Sequence, residues 1–598
     1  MYIMATELLC MSPGCFFAHK LSTSQSARRP LQGIASTTSR PSQLVRCSAG
    51  QTSGLTDRRQ SANYQPSSWS YDFLQSLEAN YHDQTYKEKV KKLEKEVKRM
   101  INKEDASLMT TLDLIDDIQR LGLGYRFEEE IRKALERISS LDGFNSGIEK
   151  SLHATALGFR LLRQHGFNNV SQDIFKIIKD QNGSFKESRS KDVKGMLSLY
   201  EASHLAFQGE SLLDEAREFT RTHLNDLIRS DDLSKDVAEE IKQALELPLH
   251  HRMKRLEAEW YIEEYAKRSD ANRVLLEFAK WDFNMVQLTL QNDLKDLSRW
   301  WKDVGLTNKL SFARDRLVES FFWTVGMVFE PQYSRLRKEL TKVVAFMIVI
   351  DDVYDVYGTV DELELFTDAI ERWEVQAVQN LPDYMRICFL ALYNTINDLV
   401  YETLKERDEY ILPYLTKAWA DMCKAFLQEK KWTQNKETPS FEDYLENGWV
   451  SSSGGLLLVN AYLLISQDIT KQGLESLENY HNLLRWPSII FRLANDLATS
   501  SAELERGETT NSISCIMSDT GLFEESARQH LRNLIEETWK QMNKDAMSGE
   551  SPFTKPFLET AINLARIAQC QYQHGDGLGN PDTKSKDRVF SLIIDPMK

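Results

Sequence analysis

The chain has 598 residues, more than one hydrophobic core usually serves, which predicts two folded domains and a further segment. Its formal net charge is −15 at pH 7, and no basic stripe is interleaved with aromatic residues, so nucleic acid is not expected as a partner. No uninterrupted apolar run approaches the length of a membrane-spanning helix, and we expect no membrane span.

Residues 1–50 differ in composition from the rest of the chain. They are rich in Ser, Thr and Arg and contain a single acidic residue, Glu7, which is typical of a transit peptide. We therefore expect processing near Arg46–Ser48 and localisation in the plastid stroma. The four cysteines beyond this leader have no CxxC spacing, so the cysteines indicate neither a zinc site nor a disulfide framework.

The rest of the chain is predicted to be all-α. No proline occurs between Pro66 and Pro248, and apolar residues recur at spacings of three and four, as in Tyr86–Asn102, Thr110–Leu121 and Leu152–Gln164. Composition shifts after Pro248, and we place an N-terminal helical domain at residues 51–270 and a second domain at residues 271–598. Residues 53–71 are neither periodic nor of low complexity, and we expect an extended strap laid on another domain.

Three short polar clusters follow in the second half. Arg314 and Arg316 carry planar donors suited to phosphate oxygens. Asp351, Asp352 and Asp355 come directly after an apolar run, and carboxylates in this pattern on a helix offer a set of hard oxygen ligands for Mg²⁺ or Mn²⁺. Taken alone in a chain with 89 acidic residues, the aspartate cluster favours a solvated acidic turn.

A second oxygen cluster makes a metal site the better interpretation. Asn495, Thr499 and Glu503 recur at intervals of four residues and so share one helical face, which offers an amide, a hydroxyl and a carboxylate oxygen. Arg492 precedes them by less than one turn. Metals and arginines together would reverse the negative field of such a cleft and allow an anionic substrate to bind.

Over nearly its whole length the chain resembles the plant class I terpene synthases, specifically the plastidial monoterpene and isoprene synthase group. Asp351–Asp355 corresponds to the DDxxD motif, Asn495–Glu503 to the second metal motif and Arg314–Arg316 to the RxR element. Other stretches typical of this group are Leu152–Leu157, Tyr357–Phe366 and Tyr572–Gly577.

The resemblance implies a C-terminal catalytic domain of class I terpenoid synthase fold and an N-terminal α-barrel-like domain that has lost its own chemistry, since no DxDD motif is found there. It also implies three Mg²⁺ ions, or Mn²⁺, an allylic diphosphate substrate, and a monomer or homodimer. The residues it implies are, as metal ligands, Asp351, Asp352, Asp355, Asn495, Thr499 and Glu503; as catalytic residues, Asp351, Asp352, Asp355, Arg314, Arg316 and Tyr572; and as substrate-binding residues, Arg314, Asp351, Asp355, Arg492, Asn495, Trp323, Val344, Phe491, Ser452 and Asn511. Similar enzymes stabilise the carbocation with aromatic residues at the positions of Trp323, Tyr354, Phe491 and Tyr572.

Val344 bears on the substrate. It lies seven residues before Asp351, on nearly the same helical face and roughly 10 Å deeper, so we expect it to line the pocket floor. Isoprene synthases, which the chain resembles in Ser452, Phe491 and Asn511, normally have Phe there. The smaller Val favours geranyl diphosphate over dimethylallyl diphosphate.

Two departures from cyclising relatives favour an acyclic product: ocimene, myrcene or linalool. The RRx8W register counted back from Trp69 reads Arg59–Gln60, so the second arginine is missing unless Arg58 reaches its place through a bulge. Many cyclising relatives also have Lys at the position of Asn511. The alternatives are an isoprene synthase, a cyclic monoterpene synthase, a prenyltransferase, and a helical scaffold that has lost catalysis.

Overall fold

The computed structural model describes residues 64–77, 84–140, 151–167, 170–183, 185–186, 192–230, 233–506, 510–547, 549 and 551–598. Its first half folds into short amphipathic helices, several of which begin at a Ser whose side chain accepts a backbone N–H, as Ser107 and Ser151 do. These helices are α1 Tyr71–Ser76, α2 Gln84–Ile101, α3 Leu108–Arg120, α4 Glu128–Ser140, α5 Leu152–Gln164, α6 Val193–Ser203, α7 Ser211–Arg229, α8 Lys235–Glu246 and α9 Lys254–Lys267.

The second half has longer helices, beginning with one of 32 residues. They are α10 Arg273–Val304, α11 Leu317–Met327, α12 Ser334–Asp352, α13 Val360–Arg372, α14 Asp383–Arg407, α15 Leu412–Asn435, α16 Phe441–Ser451, α17 Gly454–Ile465, α18 Lys471–Glu478, α19 Asn482–Arg506, α20 Ser512–Thr520, α21 Glu524–Met547, α22 Lys555–Gln571 and α23 Thr583–Val589.

Short 3₁₀ segments join several of these helices, and π-helical turns at Val353–Tyr357 and Phe590–Ile594 continue α12 and α23. Within the described ranges there is no β-strand, only one isolated bridge between Lys179 and Phe185. The all-α prediction is confirmed, and the three helices predicted in the N-terminal half are observed within two residues of their expected bounds.

The core of the second half is built on helices that are apolar on every side. All residues of α11 and α17 are buried. The stretch Phe441–Ile465, which comprises α16 and α17, is long and apolar enough to cross a membrane, but 94% of its most apolar part is buried inside the protein. Burial of this kind is what a core helix of a globular fold requires.

Residues 64–70 are extended and lie across the second half of the chain. Gln65 O accepts from the Arg316 guanidinium at 3.0 Å, and Trp69 Nε1 donates to Glu319 Oε1 of α11 at 3.0 Å. This agrees with the strap expected there. Arg58 and Arg59, like the whole of residues 1–50, lie outside the described residues. Contacts gather residues 59–598 into one unit, so the boundary at 270–271 stays a prediction.

Candidate active site

The first aspartate cluster is at the carboxyl end of α12. Asp351 and Asp352 are its last residues, and Asp355 follows in the π-helical turn. Asp351 and Asp355 line a cavity of about 190 Å³, whereas the side chain of Asp352 is fully buried behind them. Since π-helical turns recur at functional sites, the break in the helix at this point is itself informative.

Arg314 contacts both Asp351 and Asp352 at the end of α12. Its backbone N–H donates to Asp352 Oδ2 at 2.7 Å, its Nε lies 2.9 Å from Asp352 Oδ1, and its Nη2 pairs with Asp351. Burial disfavours the guanidinium charge, but the carboxylates of Asp352 and Asp351 outweigh it and hold the pKa of Arg314 well above its ordinary value. Arg314 lines the cavity and lies over the ring of Tyr64, 4.7 Å from its centroid.

Arg316 is turned away from this cavity. It is 3% exposed and donates to the carbonyl oxygens of Gly579, Asp315 and Gln65 at 2.8–3.2 Å. Burial lowers its pKa. The observed contacts are those of a residue that fastens the strap and the Asp576–Gly579 segment to the start of α11.

The second oxygen cluster lies on α19. Asn495 and Thr499 line the same cavity as Asp351, and Thr499 Oγ1 donates to the Asn495 carbonyl at 2.9 Å. Asp496, between them, is fully buried; its Oδ2 accepts from Tyr444 Oη at 2.9 Å and from the backbone N–H of Ser512 at 3.0 Å. Glu503 belongs to α19, but its side chain lies outside the described part of the structure.

Arg492 pairs with buried Asp496, as Arg314 pairs with buried Asp352. Its Nε lies 3.0 Å from Asp496 Oδ1 and 2.8 Å from Tyr444 Oη, and its Nη1 lies 3.7 Å from Glu429. Arg492 and Glu429 both line the cavity. Each oxygen cluster therefore has a buried aspartate that fixes an arginine in the cavity wall.

Aromatic rings form the apolar side. The ring centroids of Trp323 and Phe491 are 4.6 Å apart, and the ring of Tyr572 stacks on that of Phe491 at 6.1 Å. Phe491 and Tyr572 line the cavity, and Trp323 lies buried behind them. Burial raises the pKa of Tyr572, so its phenol stays protonated. Tyr354 is fully buried, bonds Thr367 Oγ1 at 2.8 Å and does not line the cavity.

Three further predicted residues take different positions. Ser452 lines the cavity, as expected. Val344 is 1% exposed and does not line it; Met347 and Ile348, closer to Asp351, form that wall. Asn511 is buried and caps α20, where its Oδ1 accepts the backbone N–H of Ser514 at 3.0 Å.

Sequence reasoning missed several cavity residues. Tyr64 comes from the strap, Glu429 and Lys430 from α15, and Asp576 from the turn after α22. Asp576 falls within a stretch already singled out as typical of the family, but the others have no local signal. They reach the site only because distant helices converge there.

The cavity wall fits hard divalent cations. Asp351, Asp355, Asn495 and Thr499 offer carboxylate, amide and hydroxyl oxygens from two helices to one space, which is the donor set that Mg²⁺ or Mn²⁺ prefers. A larger cavity of about 260 Å³ lies elsewhere, but basic groups on its wall are paired within the protein, as Arg120 is with Glu257 and Lys254 with Glu559. The chemistry therefore points to the smaller cavity.

An all-helical fold with two oxygen clusters and two arginines around a partly aromatic cavity defines a metal-dependent enzyme with an anionic substrate. Residues 302–541 match the metal binding domain of the terpene synthase family, and residues 68–245 match the terpene synthase N-terminal domain. The chain therefore belongs to the terpene synthase family and is a lyase.

Relatives are similar over most of their length. The chain is 55% identical to a chloroplastic isoprene synthase of Populus alba, over 99% of each chain, and 50% identical to a chloroplastic myrcene synthase of Quercus ilex, over 90% of each. The crystal structure of isoprene synthase from grey poplar leaves (Populus x canescens), in complex with three Mg²⁺ ions and dimethylallyl-S-thiolodiphosphate, is 57% identical, with a TM-score of 0.83, and the match covers 89% of this chain and 99% of that one.

Proposed function

We propose that the protein ionises geranyl diphosphate and releases diphosphate and an acyclic monoterpene: ocimene, myrcene or linalool. The observation that carries this proposal is the cavity in which Asp351, Asp355, Asn495 and Thr499 face Arg314, Arg492 and an aromatic wall. Asp351, Asp355, Asn495, Thr499 and Glu503 are the proposed ligands of three Mg²⁺ or Mn²⁺ ions, and Asp352, predicted from the sequence as a further ligand, acts instead by holding Arg314. When bound, these ions supply positive charge that neutralises the diphosphate.

The protein's own groups prepare the same step. Arg314 and Arg492 direct guanidinium N–H donors into the cavity, where they favour the negative charge that develops on the leaving diphosphate as the C–O bond breaks. Asp352 and Asp496 fix these two arginines from behind, so that little reorganisation is needed during the reaction.

The carbocation left behind requires a wall that neither reacts with it nor admits water. The faces of Phe491 and Tyr572 supply cation–π attraction, and Met347 and Ile348 exclude water. A proton lost from the geranyl cation gives ocimene or myrcene; if one water is retained beside the substrate, its addition to the cation followed by loss of a proton gives linalool. Arg316 and Asn511 are proposed to act by positioning the Gly579 turn and the start of α20.

Geranyl diphosphate is favoured because Val344, one helical turn before Met347 and Ile348 on α12, is smaller than the Phe that isoprene synthases normally have there, which leaves more volume near that wall. Isoprene synthase acting on dimethylallyl diphosphate is the second candidate, favoured by the 55% identity to the Populus enzyme. A cyclic monoterpene is the third. We further propose a plastid stromal location after removal of residues 1–50, a catalytic domain at 271–598, and an N-terminal domain at 51–270 without its own chemistry.

The test is to incubate the purified protein with Mg²⁺ and either geranyl or dimethylallyl diphosphate, and to identify the volatile products by gas chromatography and mass spectrometry. Acyclic C10 products from geranyl diphosphate, with a higher kcat/KM than for dimethylallyl diphosphate, are expected. Predominant isoprene would overturn the choice of substrate, and a predominant cyclic product would overturn the choice of product.

A further inference from the structure

A second group of metal-ligating side chains lies outside the candidate active site. His204 directly follows α6, His251 ends the 3₁₀ segment Leu249–His251, and Glu536 belongs to α21. One ligand atom from each of the three lies within 4.8 Å of the other two, and His204 Nδ1 is 3.7 Å from Glu536 Oε2.

The two histidines are buried without hydrogen bonds. His204 is 7% exposed and His251 1%, and none of their four ring nitrogens has a hydrogen-bond partner. Their neighbour His250 is equally buried, but its Nε2 bonds Asn543 Oδ1 at 2.7 Å and its Nδ1 lies 3.4 Å from Arg566 Nη2. Buried polar atoms ordinarily have hydrogen-bond partners. The difference between His250, which is hydrogen-bonded, and the adjacent His251, which is not, therefore requires an explanation.

Aromatic rings orient the two imidazoles without bonding their nitrogens. Trp539 stacks on His251 with ring centroids 4.1 Å apart, and Tyr200 packs edge-on against His204 at 4.8 Å. Burial lowers the pKa of both histidines well below the usual value. They are therefore neutral at pH 7, which is the form that binds metals.

We propose that His204, His251 and Glu536 form a structural site for Zn²⁺. Two neutral imidazoles and one carboxylate suit zinc, and a water molecule would complete four ligands. Ligand atoms around one zinc ion are about 3–3.5 Å apart, so binding would draw the three side chains together by about one ångström. The oxygen-only wall of the candidate active site suits Mg²⁺ instead, so the two sites differ in the metal they prefer.

Nearby positive charge opposes this binding. Arg217 Nη1 donates to Glu536 Oε2 at 2.8 Å, and the charge of Lys540 also acts on Glu536. A zinc ion would have to share the carboxylate with Arg217. Removing the Arg217 charge should therefore tighten zinc binding. A variant that merely misfolded would bind zinc more weakly, so the two outcomes can be told apart.

The position of the site suggests a bracing role. It joins the ends of α6 and the Leu249–His251 segment to α21, and Arg528 of α21 donates to Leu497 O and Ser500 Oγ of α19 at 2.9 and 2.8 Å. The helix that carries Asn495 and Thr499 thus rests on the helix that the metal would hold. Zinc that binds the folded chain but not the unfolded chain raises the stability of the protein by linkage.

The experiment equilibrates the full chain with equimolar ZnCl₂ in excess Mg²⁺, which occupies the oxygen cluster, and measures retained zinc by mass spectrometry of the eluted protein. One zinc per chain and a higher Tm than without zinc are expected. His251→Gln and Glu536→Gln should each lose the bound zinc and the rise in Tm. The matched control His250→Gln should retain both.

Arg217→Gln keeps the inference testable if His251→Gln does not fold, because we expect this variant to bind zinc several-fold more tightly than the wild type. The inference is overturned if the wild type retains no zinc under these conditions. It is equally overturned if His250→Gln loses as much zinc as Glu536→Gln, or if Arg217→Gln binds zinc no more tightly than the wild type.

Discussion

The two oxygen clusters of the cavity share one plan but differ in how firmly each is built. At the end of α12, Arg314 contacts buried Asp352 through both its backbone and its side chain. On α19, buried Asp496 accepts hydrogen bonds from Tyr444 and Ser512 and is ion-paired with Arg492, so its partners come from three places in the sequence. Arg314, from the segment before α11, contacts the first buried aspartate, whereas residues of α16, α19 and α20 contact the second.

In both clusters the buried aspartate pairs with an arginine and fixes its position, and the neighbouring oxygen ligands face the cavity. The DDxxD pattern treats Asp351 and Asp352 as equivalent, but the structure gives one of them to the cavity and the other to Arg314. Substitutions of Asp351 should therefore act mainly on catalysis, and substitutions of Asp352 should also lower the free energy of unfolding.

The largest expected effect is that of Asp351→Ala, which removes a cavity carboxylate. We expect kcat to fall by about a thousandfold, the scale of losing an electrostatic contact to developing charge. Arg314 keeps its buried partner Asp352 in this variant, and the Asp351 side chain faces the cavity, so the free energy of unfolding should change little. Steady-state kinetics and urea unfolding test this, with the exposed Asp368→Ala as control; undiminished turnover would refute the site.

The next effect is that of Asp352→Ala, which leaves the Arg314 side chain, only 13% exposed, without its main partner. Breaking a buried ion pair on one side costs about 3–5 kcal/mol, so the free energy of unfolding should fall by about 3 kcal/mol, together with activity. Urea unfolding measures it. Asp496→Ala should destabilise at least as strongly, because more donors lose their acceptor. If Asp352→Ala lost activity without a fall in the free energy of unfolding, the conclusion that Asp352 acts as the buried partner of Arg314 would be wrong.

A smaller effect is expected from Tyr444→Phe. It removes a hydroxyl that donates to Asp496 and receives a bond from Arg492, at a cost of about 1 kcal/mol. Because Arg492 is proposed to favour charge that develops in the transition state and loses part of its support, kcat should fall more than KM rises. Tyr480→Phe, which removes a hydroxyl bonded to Asp421 away from the cavity, is the control. Equal kinetic effects of the two changes would exclude a specific role for Tyr444.

The smallest effect is that of Thr499→Val, which exchanges one hydroxyl for a methyl group in the cavity wall. We expect the Mg²⁺ concentration that gives half-maximal activity to rise a few-fold. Thr499→Ser should restore the wild-type value, since the hydroxyl is the proposed ligand. Metal titrations of activity measure both; a Ser variant as impaired as the Val variant would assign the effect to packing.

Much of the site could be read from local spacing. Intervals of four residues placed Asn495 and Thr499 on one face of a helix, and both line the cavity. Asp351 and Asp355 also reach it, although a π-helical turn separates them where the sequence indicated a continuous α-helix. Arg316 was placed in the cavity by family resemblance and Val344 by helical spacing, and neither lines it, because side-chain directions depend on neighbours that spacing does not encode.

The sequence by itself determined the all-helical fold, the family and the two oxygen clusters, because helical periodicity and short motifs are local properties. Only the tertiary structure decided which oxygens face the cavity and which hold arginines, and it alone brought Tyr64, Glu429 and Asp576 to the site. It also brought His204 and His251 against Glu536, some 285 residues further along the chain than His251. Such pairings arise from the packing of distant helices, and no stretch of sequence specifies them alone.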